Sequence, residues 1–164
     1  MSIYFDNAAT TPISTEAKAA MVEAMEIFGN PSSTHGEGRK AKAIIETVRK
    51  GIARRLNCLP AEIVFTSGGT EADNWALLTG IRDLGIQHLY TSAIEHHAVT
   101  HFAEYIEKNH AVQVHYIPHN GQGEHDLTWL EGELTAKKAS GEVCMVSLMH
   151  ANNEVGAVQP VAAA

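Results

Sequence analysis

Three short stretches carry the residue types that do chemistry. Residues 65–74 read FTSGGTEADN, where an apolar run ends in Ser67-Gly68-Gly69-Thr70 and a helical pattern begins. Residues 94–97 read IEHH and residues 152–154 read NNE, and each follows an apolar run. Two glycines at a strand-to-helix turn permit positive φ and leave no Cβ in the way of an approaching group. The first turn of the next helix offers unpaired N–H groups and a partial positive charge, and Ser67 and Thr70 add hydroxyl donors. Together these form an anion cup, and phosphate is its usual occupant. A local reading competes on equal terms: Thr70 as an N-cap, with Asp73 three residues on as a capping-box-like partner.

The kind of phosphate is bounded by what does not follow the glycines. A triphosphate loop needs Lys and then Ser or Thr after the second glycine, and here Thr70-Glu71 follows. The dinucleotide pattern G-x-G-x-x-G is missing, because Gly68 and Gly69 are adjacent and no third glycine comes after them. A single phosphate on a smaller molecule remains.

Those stretches need elements to position them. Ser14 is a good N-cap for a helix whose apolar residues run from Ala17 to Phe28, with Gly29 as its stop. Ala41, Ile44, Ile45, Val48, Ile52 and Leu56 mark a second amphipathic helix, closed near Asn57 and Pro60. Strands are then expected over 62–66, 88–91, 112–117 and 143–149, alternating with helices over 70–81, 98–108 and 127–138. Gln113 and His115 alternate with apolar residues, as at a half-exposed sheet edge. This alternation predicts an α/β layer with a largely parallel sheet. In such a sheet ligands sit outside the carboxyl ends of the strands. The loops 67–70, 94–97 and 152–154 should therefore share one rim, bringing an anion cup, an imidazole and a carboxamide together. A flat imidazole stacks on an aromatic ring and a carboxamide bonds a ring hydroxyl, which suits a phosphorylated pyridine.

Composition sets the outer limits. The 164 residues allow one domain with a real core, and 45% hydrophobic with 19% charged residues is ordinary for a soluble protein. A formal charge of −7, with basic residues scattered, argues against nucleic acid as a partner. No apolar run is long enough to cross a bilayer, and MSIYFDNAATTP lacks the features of a secretory signal, so a cytoplasmic protein is expected. Cys58 and Cys144 have no metal-type spacing; Cys144 reads as a core thiol and Cys58 as a loop thiol. After Pro160 the sequence runs only Val161-Ala162-Ala163-Ala164, where an α/β layer should continue with a helix and another strand, so part of a larger protein is expected.

Five segments together resemble the pyridoxal-phosphate-dependent cysteine desulfurases, relatives of the class-V aminotransferases. They are YFDNAATTP, FGNPSSTHGEGRKA, IVFTSGGTEADN, EHHAV and HANNEVGAVQP, in the family's order and across almost the whole chain. The resemblance implies the aspartate-aminotransferase-like large domain, with a mostly parallel sheet flanked by helices and cut short on its C-terminal side. It implies that residues 1–60 belong to the small domain and the active-site mouth, and 61–164 to the first part of the cofactor domain. Gly69 and Thr70 would hold the phosphate of pyridoxal 5'-phosphate. His96 would stack on the pyridine ring and shuttle a proton, and Asn153 would bond the phenolic oxygen. The loops DNAATTP and GNPSS-x-H, the latter with His35, would line the mouth.

The implied reaction takes L-cysteine to L-alanine and an enzyme persulfide. A homodimer is implied, with a sulfur acceptor such as an iron–sulfur assembly scaffold as partner. Three parts of that machinery have no match here: the aspartate facing the pyridine nitrogen, the Schiff-base lysine and the persulfide cysteine. Neither Cys58 nor Cys144 matches the last of these, so the chain by itself should be inactive. The alternatives are a selenocysteine lyase or another class-V aminotransferase, and an inactive fragment that only binds partners.

Ten histidines raise a metal hypothesis. His97 and His101 stand four apart on an expected helix, a spacing that can bind zinc. His-Glu-x-x-His is absent, and the favoured reading is solvated helix histidines with no metal. His110, His115, His119 and His125 are expected at the surface. Asn152-Asn153-Glu154 taken alone is as well read as a polar turn.

Overall fold

The computed structural model describes residues 3–161, which divide into two compact units between Phe65 and Thr66. In the first unit, helix α1 (Thr15–Met25) starts as its sequence predicts: the Ser14 hydroxyl accepts from the Ala17 N–H at 3.1 Å. It ends at Met25 rather than Phe28. None of its residues is buried and Phe28 is 85% exposed, so no packed face carries the helix on along its apolar spacing. Helix α2 (Gly36–Leu56) begins five residues before Ala41, because His35 caps it by accepting from the Gly38 N–H at 3.4 Å. Asn57, in the left-handed region with φ 54°, closes it. Gly38 is needed where it stands: a Cβ there would lie 2.6 Å from the carbonyl oxygens of both Asn30 and Ser33. That close approach is how the Asn30–Ser33 turn seats on α2.

The strand expected over 62–66 does not form. Glu62 ends a short 3₁₀ turn (Pro60–Glu62), and Ile63 after it is extended but enters no ladder among the described residues. An apolar, β-branched run favours extension, whereas a strand also needs a neighbour to take up its N–H and C=O groups. Arg49 of α2 holds the segment instead. Its guanidinium lies 4.8 Å from the centre of the Phe65 ring and donates to the Ile63 carbonyl.

The second unit is the predicted α/β layer. Helix α3 (Gly69–Arg82) leads to strand β1 (His88–Thr91), α4 (His97–Asn109), β2 (Gln113–Tyr116), α5 (Leu127–Ser140) and β3 (Cys144–Val146). The strands are parallel in the order β2-β1-β3, with His88 opposite both Gln113 and Cys144. Central β1 is buried at every position. Its alternate side chains go to opposite faces. Leu89 joins Leu77 of α3 and Val99, Ala103 and Ile106 of α4 in one core. Tyr90 joins Ile117 and Leu130 in a second, against which Leu127, Trp129 and Leu134 of α5 pack. The sheet is thus covered on both faces. Cys144 packs at the edge of the second core.

His88 lies on the Tyr90 face and is buried. Its Nε2 meets the Glu142 carboxylate, and its Nδ1 lies 3.0 Å from Nε2 of His115. His115 is not the surface residue its sequence suggested. It is half-buried and stacks on Tyr90, with ring centres 4.5 Å apart. His110 and His125 are half-buried too, each with a nitrogen cut off from solvent; His119 is exposed.

Lys137 donates to Glu142 at 2.9 Å, and Ser140 donates at the same distance. Those bonds, with His88 as the third, hold the Glu142 carboxyl down at about 2, against an ordinary 4.5. A carboxyl depressed on folding adds stability above its unfolded value, and that stability is lost as pH falls through the folded value. Urea stability should therefore fall between pH 4.5 and about 2. Glu142→Gln should flatten that fall. An identical slope in the variant would show that Glu142 carries none of it.

Candidate functional site

Helix α3 opens the site. Its N-cap is Gly68, at φ 171° and ψ 177°, and no side chain caps it. This corrects two expectations. Thr70 is not the N-cap, and the glycines are not there for positive φ, since Gly68 is simply extended and Gly69 helical. Their other property holds: a Cβ built on either meets nothing within 4 Å, so the backbone at the helix start is open. Ser67 has found a local partner. Its N–H and hydroxyl both donate to the Glu71 carboxylate, at 2.7 and 2.6 Å, and these bonds pull the Glu71 carboxyl below its ordinary range. The donors left for an anion are the first-turn N–H groups and the exposed Thr70 side chain.

His96 lies at the centre. It ends the loop after β1 and caps α4, its Nδ1 accepting from the Ala98 N–H at 3.1 Å. Its ring is exposed. It lines a cleft of ≈ 490 Å³ with Thr70, Asn74, His97, His101, Phe102 and Tyr105. That volume is in the range of small-molecule sites. It also lines a narrow seam of ≈ 30 Å³ with Glu95, Met149, Asn152, Asn153 and Glu154. The two clefts share His96 and His97, so Thr70 and Asn153 each line a cleft that His96 also lines. Gly69 is next to Thr70 at the start of α3. The predicted convergence of the three loops is therefore present. His97 and His101 stack at 4.9 Å along α4, and no group of three His, Cys, Asp or Glu among the described residues is arranged to hold a metal.

Two hydrogen bonds tie the β1 and β3 loops together. Glu95 accepts from the Met149 N–H, and the Asn152 side-chain amide donates to the Ile94 carbonyl at 2.6 Å. Burial pushes the Glu95 carboxyl up. Sequence reading placed both residues in the right loops but gave neither a job. The only available signal was adjacency, since Glu95 precedes His96 and Asn152 precedes Asn153.

An α/β layer of parallel strands with an open helix N-terminus, an exposed imidazole and a carboxamide in the loops beside it has the architecture of the pyridoxal-phosphate transferase fold. The chain belongs to the class-V aminotransferase family, whose profile matches residues 3–164. It is similar to the cysteine desulfurase IscS of Methanosarcina thermophila, at 41% identity over 98% of this chain and 39% of that protein. It is also similar to the selenocysteine lyase of Xenopus tropicalis, at 35% identity over 97% of this chain and 39% of that protein. A solved structure described as a NifS-like protein superposes with a TM-score of 0.87 and 37% identity, covering 98% of this chain and 43% of that one. The chain thus spans about two fifths of the length of these relatives. The family's enzymes depend on pyridoxal phosphate.

The residues present fit that group in part. The open α3 N-terminus and Thr70 suit its phosphate, His96 offers a ring face, and Asn153 offers an amide donor. Among the described residues no lysine lines either cleft. No helix among the described residues is long and apolar enough to cross a membrane.

Proposed function

We propose that the full-length protein is a cysteine desulfurase that takes L-cysteine to L-alanine. The observation that carries this reading is that His96 lines both clefts, one together with Thr70 and the other together with Asn153. The Gly69 and Thr70 end of α3 holds the phosphate of pyridoxal 5'-phosphate. The His96 ring lies on the pyridine and carries a proton to or from substrate, and the Asn153 amide donates to the phenolic oxygen. When bound, the cofactor supplies an electron sink for substrate Cα. A protein thiolate outside this stretch takes the substrate sulfur as a persulfide. Substrate Cβ gains a proton, so that cysteine plus thiol gives alanine plus persulfide.

Residues 1–60 contribute to the small domain and the mouth of the site, and 61–164 to the cofactor domain. The enzyme acts as a cytoplasmic homodimer and passes sulfur to an acceptor such as an iron–sulfur scaffold. The second reading is a selenocysteine lyase, favoured by the relative of that name. The ratio of kcat/KM for cysteine and selenocysteine separates the two.

The test is mass spectrometry of the natural gene product after borohydride reduction, paired with an assay of alanine from cysteine. A chain much heavier than 17.7 kDa, with the reduced cofactor on a lysine beyond residue 164, is expected. A species near 17.7 kDa with no adduct and no alanine would overturn the proposal and leave an inactive fragment.

A further inference from the structure

We infer that Glu95 and Asn152 are positioning residues: together they clamp the β1 loop to the β3 loop and so fix His96 relative to Asn153. The inference rests on the reading of His96 and Asn153 as cofactor contacts. The two bonds run in opposite directions across the gap. Glu95, from the β1 loop, accepts from the Met149 N–H; Asn152, from the β3 loop, donates to the Ile94 carbonyl at 2.6 Å. The Asn152 amide has one possible orientation, because its oxygen already accepts from the N–H groups of Glu154 and Val155 at 2.8 and 2.9 Å. Its NH₂ must therefore face Ile94.

The β1 end of the clamp is anchored in turn. Buried Ser92 accepts from the Ile94 N–H at 3.2 Å, so the loop is held at Ser92, Ile94 and Glu95 before the chain reaches His96. Each clamp residue directly precedes a site residue in sequence, and one peptide unit leaves little slack. His96 and Asn153 are themselves exposed, and the cap bond of His96 goes to Ala98 in its own segment, not to the β3 loop. Holding one loop against the other falls to the Glu95 and Asn152 bonds. Glu95 is half-buried, and a desolvated carboxyl is costly to keep without a specific partner. The Met149 N–H is that partner.

The test uses the full-length protein as wild type, Glu95→Ala, Glu95→Gln and Asn152→Ala. Two readouts are taken: amide hydrogen exchange at Met149, with and without added pyridoxal phosphate, and the visible circular dichroism of bound cofactor alongside kcat and KM. In Glu95→Ala, Met149 exchange should rise about tenfold or more, in line with local opening. The visible dichroic band should weaken, and kcat should fall about 10- to 100-fold with KM little changed. Glu95→Gln keeps an acceptor oxygen and should recover most of each. Asn152→Ala should match Glu95→Ala in kcat and dichroism. Unchanged Met149 exchange in Glu95→Ala overturns the clamp, as does a Glu95→Gln protein as impaired as Glu95→Ala. A wild type that binds no cofactor refutes the functional reading alone, because the exchange measurement still decides the clamp.

Discussion

His96→Asn in the full-length protein should lower kcat for alanine formation by about 10²- to 10⁴-fold, the span expected when a positioned proton carrier is lost. Asparagine is the informative choice. His96 also caps α4 through Nδ1, and removing a capping acceptor costs about 1 kcal/mol of stability. Asparagine is itself a good N-cap, so the helix start survives while the ring is lost. The variant should melt close to wild type, bind cofactor with a changed visible spectrum because the stacked ring is gone, and turn over slowly. His96→Ala should show the same kinetic loss with an added drop in melting temperature. Near-normal turnover in His96→Asn would remove His96 from the proton path and reduce it to a cap.

Leu77→Ala should have the largest effect on stability. Leu77 is 2% exposed, on α3, among Ile86, Leu89, Val99, Ala103, Ile106 and Val112. Truncating a leucine in such a core costs about 2–5 kcal/mol, from lost transfer energy plus the cavity left behind. Whole domains are stable by only about 5–15 kcal/mol, so the loss is a large fraction. The effect should also reach the site, because α3 carries Gly69 and Thr70 at its N-terminus and Leu77 pins that helix to the sheet. A lower urea midpoint and a weaker cofactor dissociation constant are expected together. A full loss of stability with unchanged cofactor affinity would mean that the α3 start is held by something other than this core.

The fold was legible where local signals agreed. Helices α3 to α5 and strands β1 to β3 alternate as their periodicity indicates, and Ser14 and Asn57 cap where their side chains predict. Reading failed where the deciding partner is far along the chain or is a backbone group. Residues 62–66 have the composition of a strand, but composition cannot supply the neighbour that makes a ladder. Capping by His35 was not anticipated, because histidine is not a favoured N-cap type, so the start of α2 was placed late. His115 was read as surface from an edge-strand pattern, whereas Tyr90 and His88 on the adjacent strand enclose it. For the site, the loops were placed by topology and the individual residues by resemblance. The clamp at Glu95 and Asn152 was invisible, since its partners are backbone groups more than fifty residues away.

The cap at His96 decides more than where α4 begins. A ring nitrogen that accepts from the Ala98 N–H has no proton of its own, so neutral His96 is held as the Nε2–H tautomer. Its other nitrogen, Nε2, is then a proton donor. One side chain thus sets both where α4 starts and which ring nitrogen can offer a proton.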